Sequence, residues 1–234
     1  MTIRSLAEIA RDFDRIADLS PGDSENNLRY HELLLRSAPT RLVSALDVGC
    51  GSGALLQRLG ERSSHTVGID LSSTMIEKAK ARCYGQRDIE FRVGDFLNED
   101  FRDERFDCIA SIAALHHVEF EPALHKLKSL LKPGGVLLVI DLLRDESIID
   151  WIYTGMGAVL QTARRIATMR LRSHSRVLKS AWDAHCQHDR YLSFTEVKEK
   201  ASAILPCVQI RRLLYFRYFL QWTSPEISPA AFSF

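Results

Sequence analysis

The sequence predicts an α/β fold: an open, mostly parallel sheet with helices on both faces. Three observations carry that expectation. Short apolar runs alternate with helical patterns from residue 42 to residue 143. These runs lack the polar alternation of a half-exposed strand, as expected where both sheet faces are buried. The first run ends in VGCGSG (48–53), a glycine-rich turn that opens into a helical pattern.

In chain order, LVSALDV (42–48) reads as a strand and ALLQRLGER (54–62) as a helix. HTVGID (65–70) is a second strand and SSTMIEKAKARC (72–83) a second helix. IEFRVGD (89–95) and RFDCIASI (105–112) follow as strands, then PALHKLKSLL (122–131) as a helix. LKPGG breaks that helix, and VLLVIDLL (136–143) is a fifth strand. Residues 147–179 carry scattered aromatics and bases and read as helical. LSFTEVKEKASAIL (192–205) is a helix in which Ser193 and Glu196 make a capping box, with Pro206 as its stop. VQIRRLLYFRYFLQWT (208–223) holds two β-rich runs with little room between them, which predicts a closing antiparallel hairpin. Two helical segments, 5–18 and 25–37, flank the turn-like SPGDSENN ahead of the first strand, and the proline-bearing tail 225–234 is expected on the surface.

A chain of 234 residues is long enough for one domain with a sizeable core. A formal net charge of +1 gives no composition-level reason to expect nucleic acid or an acidic surface as partner. Cys50, Cys83, Cys108, Cys186 and Cys207 are an odd set without a CxxC pair, which points to reduced thiols and a cytoplasmic setting. The N-terminus mixes acids and bases without an apolar core, so no secretory signal is expected, and no apolar run is long enough to span a membrane.

An open parallel sheet binds ligands beyond the carboxyl ends of its strands. Gly49, Gly51 and Gly53 let a ligand approach the backbone there, and GCGSGA also satisfies the dinucleotide fingerprint. Asp70 ends the second strand, 21 residues after Gly49, where an acid can accept from both hydroxyls of a ribose. That much fits NAD and S-adenosylmethionine equally. Asp95, ending the third strand, suits an adenine amino group and has a place only in the second reading. Asp47 would add negative charge beside a pyrophosphate, but it suits a ligand with a cationic amine and a sulfonium.

The series LDVGCGSG, VGIDLSSTMIEKAK, IEFRVGDF, FDCIASIAALHHV and LKPGGVLLVIDL resembles the class I S-adenosylmethionine-dependent methyltransferases, in order over residues 42–143. The likeness is to their small-molecule branch. It implies a Rossmann-like sheet of seven strands ordered 3-2-1-4-5-7-6 with the last strand antiparallel. It implies an N-terminal helical segment (1–40) over the cofactor site, a methyltransferase domain (41–224) and a helical substrate cover at 145–191. Carried over by position, Gly49 and Gly51 would meet the methionine part and ribose, and Asp47 would hold the loop or reach the amine. Asp70 would bind the ribose, with Leu71 and Met75 beside the adenine. Asp95 and the Phe96 backbone would hold the adenine edge, and the Ile112 carbonyl would accept from the amine. Tyr30 either closes over the cofactor or packs as an amphipathic helix residue. The product would be S-adenosylhomocysteine and the partner a small-molecule acceptor, with oligomeric state left open.

His116 and His117 follow the fourth strand, and Asp141 ends the fifth. In the implied order those strands are neighbours, about 5 Å apart. A histidine beside a carboxylate can take a proton from a hydroxyl acceptor, and adjacent residues point different ways, so one of the two histidines would serve. The alternative is that one histidine packs under the loop and Asp141 caps a helix. His185, Cys186, His188 and Asp189 are metal ligands by type, but no second cluster has compatible spacing, so a structural or pocket-lining role and no metal are expected. The stretch 164–179 holds six Lys/Arg and no acid, and reads as a solvated face or a binding surface for an anionic substrate or RNA. Rival functions are an RNA or protein methyltransferase, an NAD-dependent oxidoreductase, and a non-catalytic S-adenosylmethionine-binding module.

Overall fold

A computed structural model describes residues 5–20, 25–144, 176–187 and 189–226. Its frame is a sheet of seven strands: β1 (Leu42–Val48), β2 (Ser63–Asp70), β3 (Ile89–Val93), β4 (Phe106–Ile112), β5 (Leu131–Leu142), β6 (Gln209–Leu213) and β7 (Arg217–Thr223). They lie in the order β3-β2-β1-β4-β5-β7-β6. The first five run parallel, and β7 is antiparallel to both β5 and β6. The implied sheet order is therefore the observed one.

Side-chain alternation explains why both faces must be covered. Leu46, Ile109, Leu137, Val139 and Leu220 enter one core with Ala123, Leu124 and Leu127 of α5 (Phe120–Leu130) and Val197 and Ala201 of α7 (Phe194–Ile204). Their chain neighbours Ala45, Cys108, Ala110, Leu138, Ile140 and Phe219 enter the other core with Leu34 and Leu35 of α2 (Glu25–Ser37) and Leu55 and Leu59 of α3 (Ala54–Gly60). A strand buried on both faces has no position for polar alternation.

Most boundaries agree with the sequence to within two residues. The capping box of Ser193 and Glu196 is complete, and a second one joins Ser5 and Glu8 at the start of α1 (Leu6–Leu19). The helix after β2, α4 (Ser73–Arg82), is capped by Ser72. One boundary differs: β5 begins at Leu131, directly after α5, so Pro133–Gly135 belong to the strand rather than to a loop before it. The register against β4 shifts between Phe106 and Cys108, which absorbs those residues. The predicted helix over 147–179 falls outside the described residues up to 175; from Arg176 the chain forms α6 (Arg176–Cys186), which packs on α1. All five cysteines are free thiols, and no helix among the described residues is long and apolar enough to cross a membrane.

The chain reverses after β1 at Gly49, whose φ is +70°. A Cβ there would lie 2.3 Å from Cβ of Ala114, on the loop that leaves β4. Gly49→Ala should therefore lower stability by about 1–3 kcal/mol, from left-handed strain and from overpacking against that loop. Urea unfolding measures this; an unchanged midpoint would mean that the loop after β4 yields freely.

Candidate active site

The carboxyl ends of β3, β2, β1 and β4 lie side by side in the sheet, and the turn after β1 leads off from among them. The N–H groups of Gly49 and Cys50 donate to the Ile69 carbonyl, which ties the turn to β2. Gly51 donates to Oδ2 of Asp70 at 2.9 Å, while Oδ1 of Asp70 accepts from Ser72 N–H at 2.9 Å. A carboxylate oxygen accepts more than one bond, so both oxygens keep capacity for a ligand. A Cβ at Gly51 would meet nothing within 4 Å, so the backbone there faces open space.

Two acids crowd this point. Asp47 is buried, and its pKa is raised to about 8 by desolvation, then by the charge of Asp70, against a lowering bond from Leu56 N–H. Oδ2 of Asp47 is buried and has no hydrogen-bond partner among the described residues. Desolvation also raises the pKa of Asp70, against the two backbone donors. Two desolvated carboxyls side by side favour a cationic ligand. Asp95 closes a turn instead: Oδ1 accepts from Leu97 N–H at 3.0 Å and Oδ2 from Asn98 Nδ2 at 2.6 Å. The Phe96 side chain is buried beside Phe101. Leu71 follows Asp70 and is half-buried, as is Met75, which packs with Ile16 of α1 and Leu178 of α6. Ile112 is buried at the end of β4.

Helix α1 is fastened over α4. Oδ1 of Asp14 accepts from Ser72 Oγ at 2.5 Å and Thr74 N–H at 3.1 Å. Nζ of Lys78 donates to the Ala17 and Ser20 carbonyls. Tyr30 of α2 is buried, and its hydroxyl donates to the Leu214 carbonyl at 2.6 Å in the turn between β6 and β7. Of its two readings, this contact matches the packing one.

At the ends of β4 and β5 the chain gathers histidines. Asp141 is buried and accepts from the His116 backbone N–H at 2.8 Å and the Leu142 N–H at 2.8 Å. Its Oδ1 lies 2.6 Å from His116 Nδ1. A carboxylate oxygen accepts, so this bond places a ring proton on Nδ1 and turns Nε2 away from Asp141. His116 Nε2 lies 4.0 Å from Oδ2 of Asp189, and His117 Nδ1 lies 3.5 Å from Oδ1 of the same residue. His185 Nε2 is 3.8 Å from Asp189 Oδ2, and its Nδ1 is 3.2 Å from Oδ2 of Asp12. Tyr191 donates to Asp189 at 2.9 Å. His116, not His117, is the histidine that contacts Asp141.

The separation of the two histidine groups read from the sequence is thereby corrected. His116 and His117 supply the second cluster that spacing along the chain did not reveal, because the fold closes some seventy residues between them and His185. His188 lies outside the described residues, as do Arg164, Arg165, Arg170 and Arg172 of the basic stretch. Sequence reasoning also missed Asp12, Asp14 and Arg217. The last is buried, donates through Nη2 to Asn27 at 2.8 Å, and has Nε and Nη1 without a partner. Burial lowers its pKa, opposed by the charge of Asp141. A lone charged residue inside an apolar strand pattern, YFRYF, was its one signal.

The raised pKa of Asp47 has a stability consequence. The native protein holds a proton on Asp47 that the unfolded chain releases above its ordinary value near 3.8. The resulting stability is fully present below that value and is lost as pH rises through about 8. Between pH 5 and pH 8, without ligand, Asp47→Asn should therefore gain on wild type by at least about 1 kcal/mol, because it removes this dependence. Urea unfolding of both proteins at the two pH values tests it; a difference that does not change with pH refutes the assignment.

Three comparisons bear on identity. The family described as "Methyltransferase domain" matches residues 46–139, from β1 to β5. An uncharacterised methyltransferase of Mycobacterium tuberculosis is 29% identical over 208 residues, covering 85% of this chain and 96% of the relative. A probable tRNA methyltransferase 9B of Mus musculus is 31% identical over 170 residues, 71% of this chain and 35% of that protein. Among solved structures, the N-methyltransferase NodS of Bradyrhizobium japonicum in complex with S-adenosylhomocysteine superimposes with a TM-score of 0.64 at 19% identity, covering 93% of this chain and 99% of that one. With the sheet order, the glycine turn and the acid at the end of β2, these matches show a methyltransferase domain over residues 46–139, set on the sheet of the class I S-adenosylmethionine-dependent methyltransferases.

Proposed function

We propose that this methyltransferase acts on a hydroxyl group of a small molecule, with His116 as the group that receives the acceptor's proton. The observation that carries the reading is the bond between His116 Nδ1 and buried Asp141, 2.6 Å, at the carboxyl ends of adjacent strands β4 and β5. Asp141 fixes the ring, sets its tautomer and stabilises the imidazolium formed on proton uptake.

The residues around the turn after β1 fit S-adenosylmethionine. Oδ2 of Asp47 is a buried acceptor without a partner among the described residues, and the backbone at Gly51 faces open space. When bound, S-adenosylmethionine supplies a methyl carbon activated by a sulfonium. Gly49 and Gly51 then present backbone to it, Asp47 answers its positive charge, and Asp70 accepts from the ribose hydroxyls. Leu71 and Met75 flank the adenine, with Asp95 and the Phe96 backbone at its edge and the Ile112 carbonyl toward the amine. Tyr30 supports the site by holding α2 on the hairpin turn. His117 lines the acceptor side beside Phe13. The remaining work is alignment of acceptor and methyl with water excluded. The protein works in the cytoplasm.

The name of the mouse relative makes tRNA the second acceptor class. The near-neutral charge of this chain speaks for the small molecule.

Asp70→Ala should weaken S-adenosylhomocysteine binding by about 1.5–3 kcal/mol in calorimetry, the range for hydrogen bonds to a charged group. Acceptors are found by screening hydroxylated small molecules and unmodified tRNA with labelled donor. With the acceptor in hand, His116→Ala should lower kcat by about 10²–10⁴-fold with donor affinity unchanged. Asp141→Asn should also cost rate, and the double variant less than the product of the two. Near-wild-type kcat in both, or activity confined to tRNA, would overturn the reading.

A further inference from the structure

We propose that His116, His117 and Asp189 hold a divalent transition-metal cation of the zinc or iron(II) class. Nδ1 or Nε2 of the two histidines and a carboxylate oxygen of Asp189 all lie within 4.8 Å of one another. Ligands about 2.1 Å from a tetrahedral ion are themselves about 3.4 Å apart. His117 Nδ1 stands 3.5 Å from Asp189 Oδ1, which is coordination spacing, while His116 Nε2 stands 4.0 Å from the other oxygen, Oδ2, and must move inward to share one ion.

The surroundings are those of a metal site. A ligating histidine donates its other ring N–H to a carboxylate, which orients the ring and raises its basicity. His116 does this to Asp141 at 2.6 Å. His185 is set between two carboxylates behind the group, with Nδ1 3.2 Å from Asp12 and Nε2 3.8 Å from Asp189, and so helps to fix Asp189. Asp189 is itself held by the Tyr191 hydroxyl at 2.9 Å. Phe13 closes the group from α1, its ring edge-on to His117 and His185 at 5.3 and 4.6 Å between centroids. That apolar wall strengthens binding of a cation by keeping water off its ligands. His116 and His117 lie 3.9 Å apart between ring centroids, a spacing at which two imidazolium ions repel and two neutral imidazoles can share a cation. Imidazole and carboxylate donors select zinc, iron(II) or cobalt over magnesium and calcium, which take oxygen. Two histidines and one carboxylate leave coordination positions open, as in catalytic rather than structural sites.

This inference rests on placing the acceptor at the ends of β4 and β5, and it changes one step. With the His116 lone pair given to the cation, a hydroxyl on an open position loses its proton to solvent because the cation acidifies it.

The test uses the full chain, stripped with a chelator and dialysed. Zinc, then cobalt(II), manganese(II) and anaerobic iron(II), are titrated, with metal content read by mass spectrometry and cobalt by its visible spectrum. One ion per chain is expected, with zinc Kd below about 1 µM. His117→Gln and Asp189→Asn should abolish the cobalt spectrum, and Asp141→Asn should weaken zinc binding by about 10–100-fold. Circular dichroism and S-adenosylhomocysteine affinity should stay at wild-type values in all three, which separates loss of the site from loss of the fold. No binding tighter than about 100 µM for any of the four ions, or binding untouched by His117→Gln and Asp189→Asn, overturns the proposal. If the ion fails to bind while His116→Ala still costs rate, the imidazole base stands alone. If the ion binds but His116→Ala leaves kcat intact, the acceptor reading fails instead.

Discussion

Asp141 is the residue on which the histidine cluster at the ends of β4 and β5 depends. It sits at the end of β5, buried, and collects a backbone N–H from β5 itself, a backbone N–H from the loop after β4, and the His116 ring. A buried carboxylate is costly unless its lone pairs are met. Here three donors meet them, and the same bonds fix where the β4 loop turns. Gly49 leaves room for that loop at Ala114, and Ala113 takes a left-handed φ of +53° to enter it. The position of the histidines is thus set by a glycine on β1's turn and an acid on β5, neither adjacent to them in sequence. Arg217 adds a further constraint. It pairs across from Leu142 at the start of β7, and Asp141 favours its charged form against burial.

The turn after β1 is also organised by carboxylates, but here they are incompletely met. Asp47, Asp70 and Asp14 approach one another around the first turn of α4. Apart from a ligand this is unfavourable, as the raised pKa of Asp47 shows. Asp14 is spent on Ser72 and Thr74, and Asp70 is half spent on Gly51 and Ser72. Asp47 retains an oxygen with no partner among the described residues. A donor with a sulfonium and an ammonium relieves that arrangement, whereas a pyrophosphate would aggravate it. This is the physical ground for preferring S-adenosylmethionine over a dinucleotide at a turn whose glycines fit both.

What the sequence could show follows from the range of each signal. Strand and helix identity, the capping of α7 by Ser193 and the turn at Gly49–Gly53 are written in neighbouring residues, and they were legible. The order of the strands is not local; it came from resemblance to a family, and the hairpin 208–223 agreed with it by pattern. The start of β5 was misplaced because Pro133 and two glycines read as a breaker, whereas the register shift beside Phe106 admits them to the strand. Tyr30 stayed ambiguous since nothing in NNLRYHELLL announces that its hydroxyl meets Leu214. The joining of His116 and His117 to His185 and Asp189 was illegible for the same reason: it depends on where the chain after β5 returns, which no periodicity encodes.

One helix ties the two regions together. Within α1, Asp14 reaches the cap of α4 at Ser72, one residue from Leu71 and two from Asp70. Phe13 and Asp12, one and two residues before Asp14, face His117 and His185. Ile16 packs the helix against Leu178 and Ala181 of α6. One helix thus bears both on the hydrogen bonds at Ser72 and on the apolar wall around the histidines. Methyl transfer needs acceptor and methyl held in line with water kept out, and an element in contact with both groups of residues suits that requirement. The helix is two-sided: Asp12, Phe13 and Asp14 turn toward Ser72 and the histidines, while Glu8, Arg11, Arg15 and Asp18 are exposed to solvent.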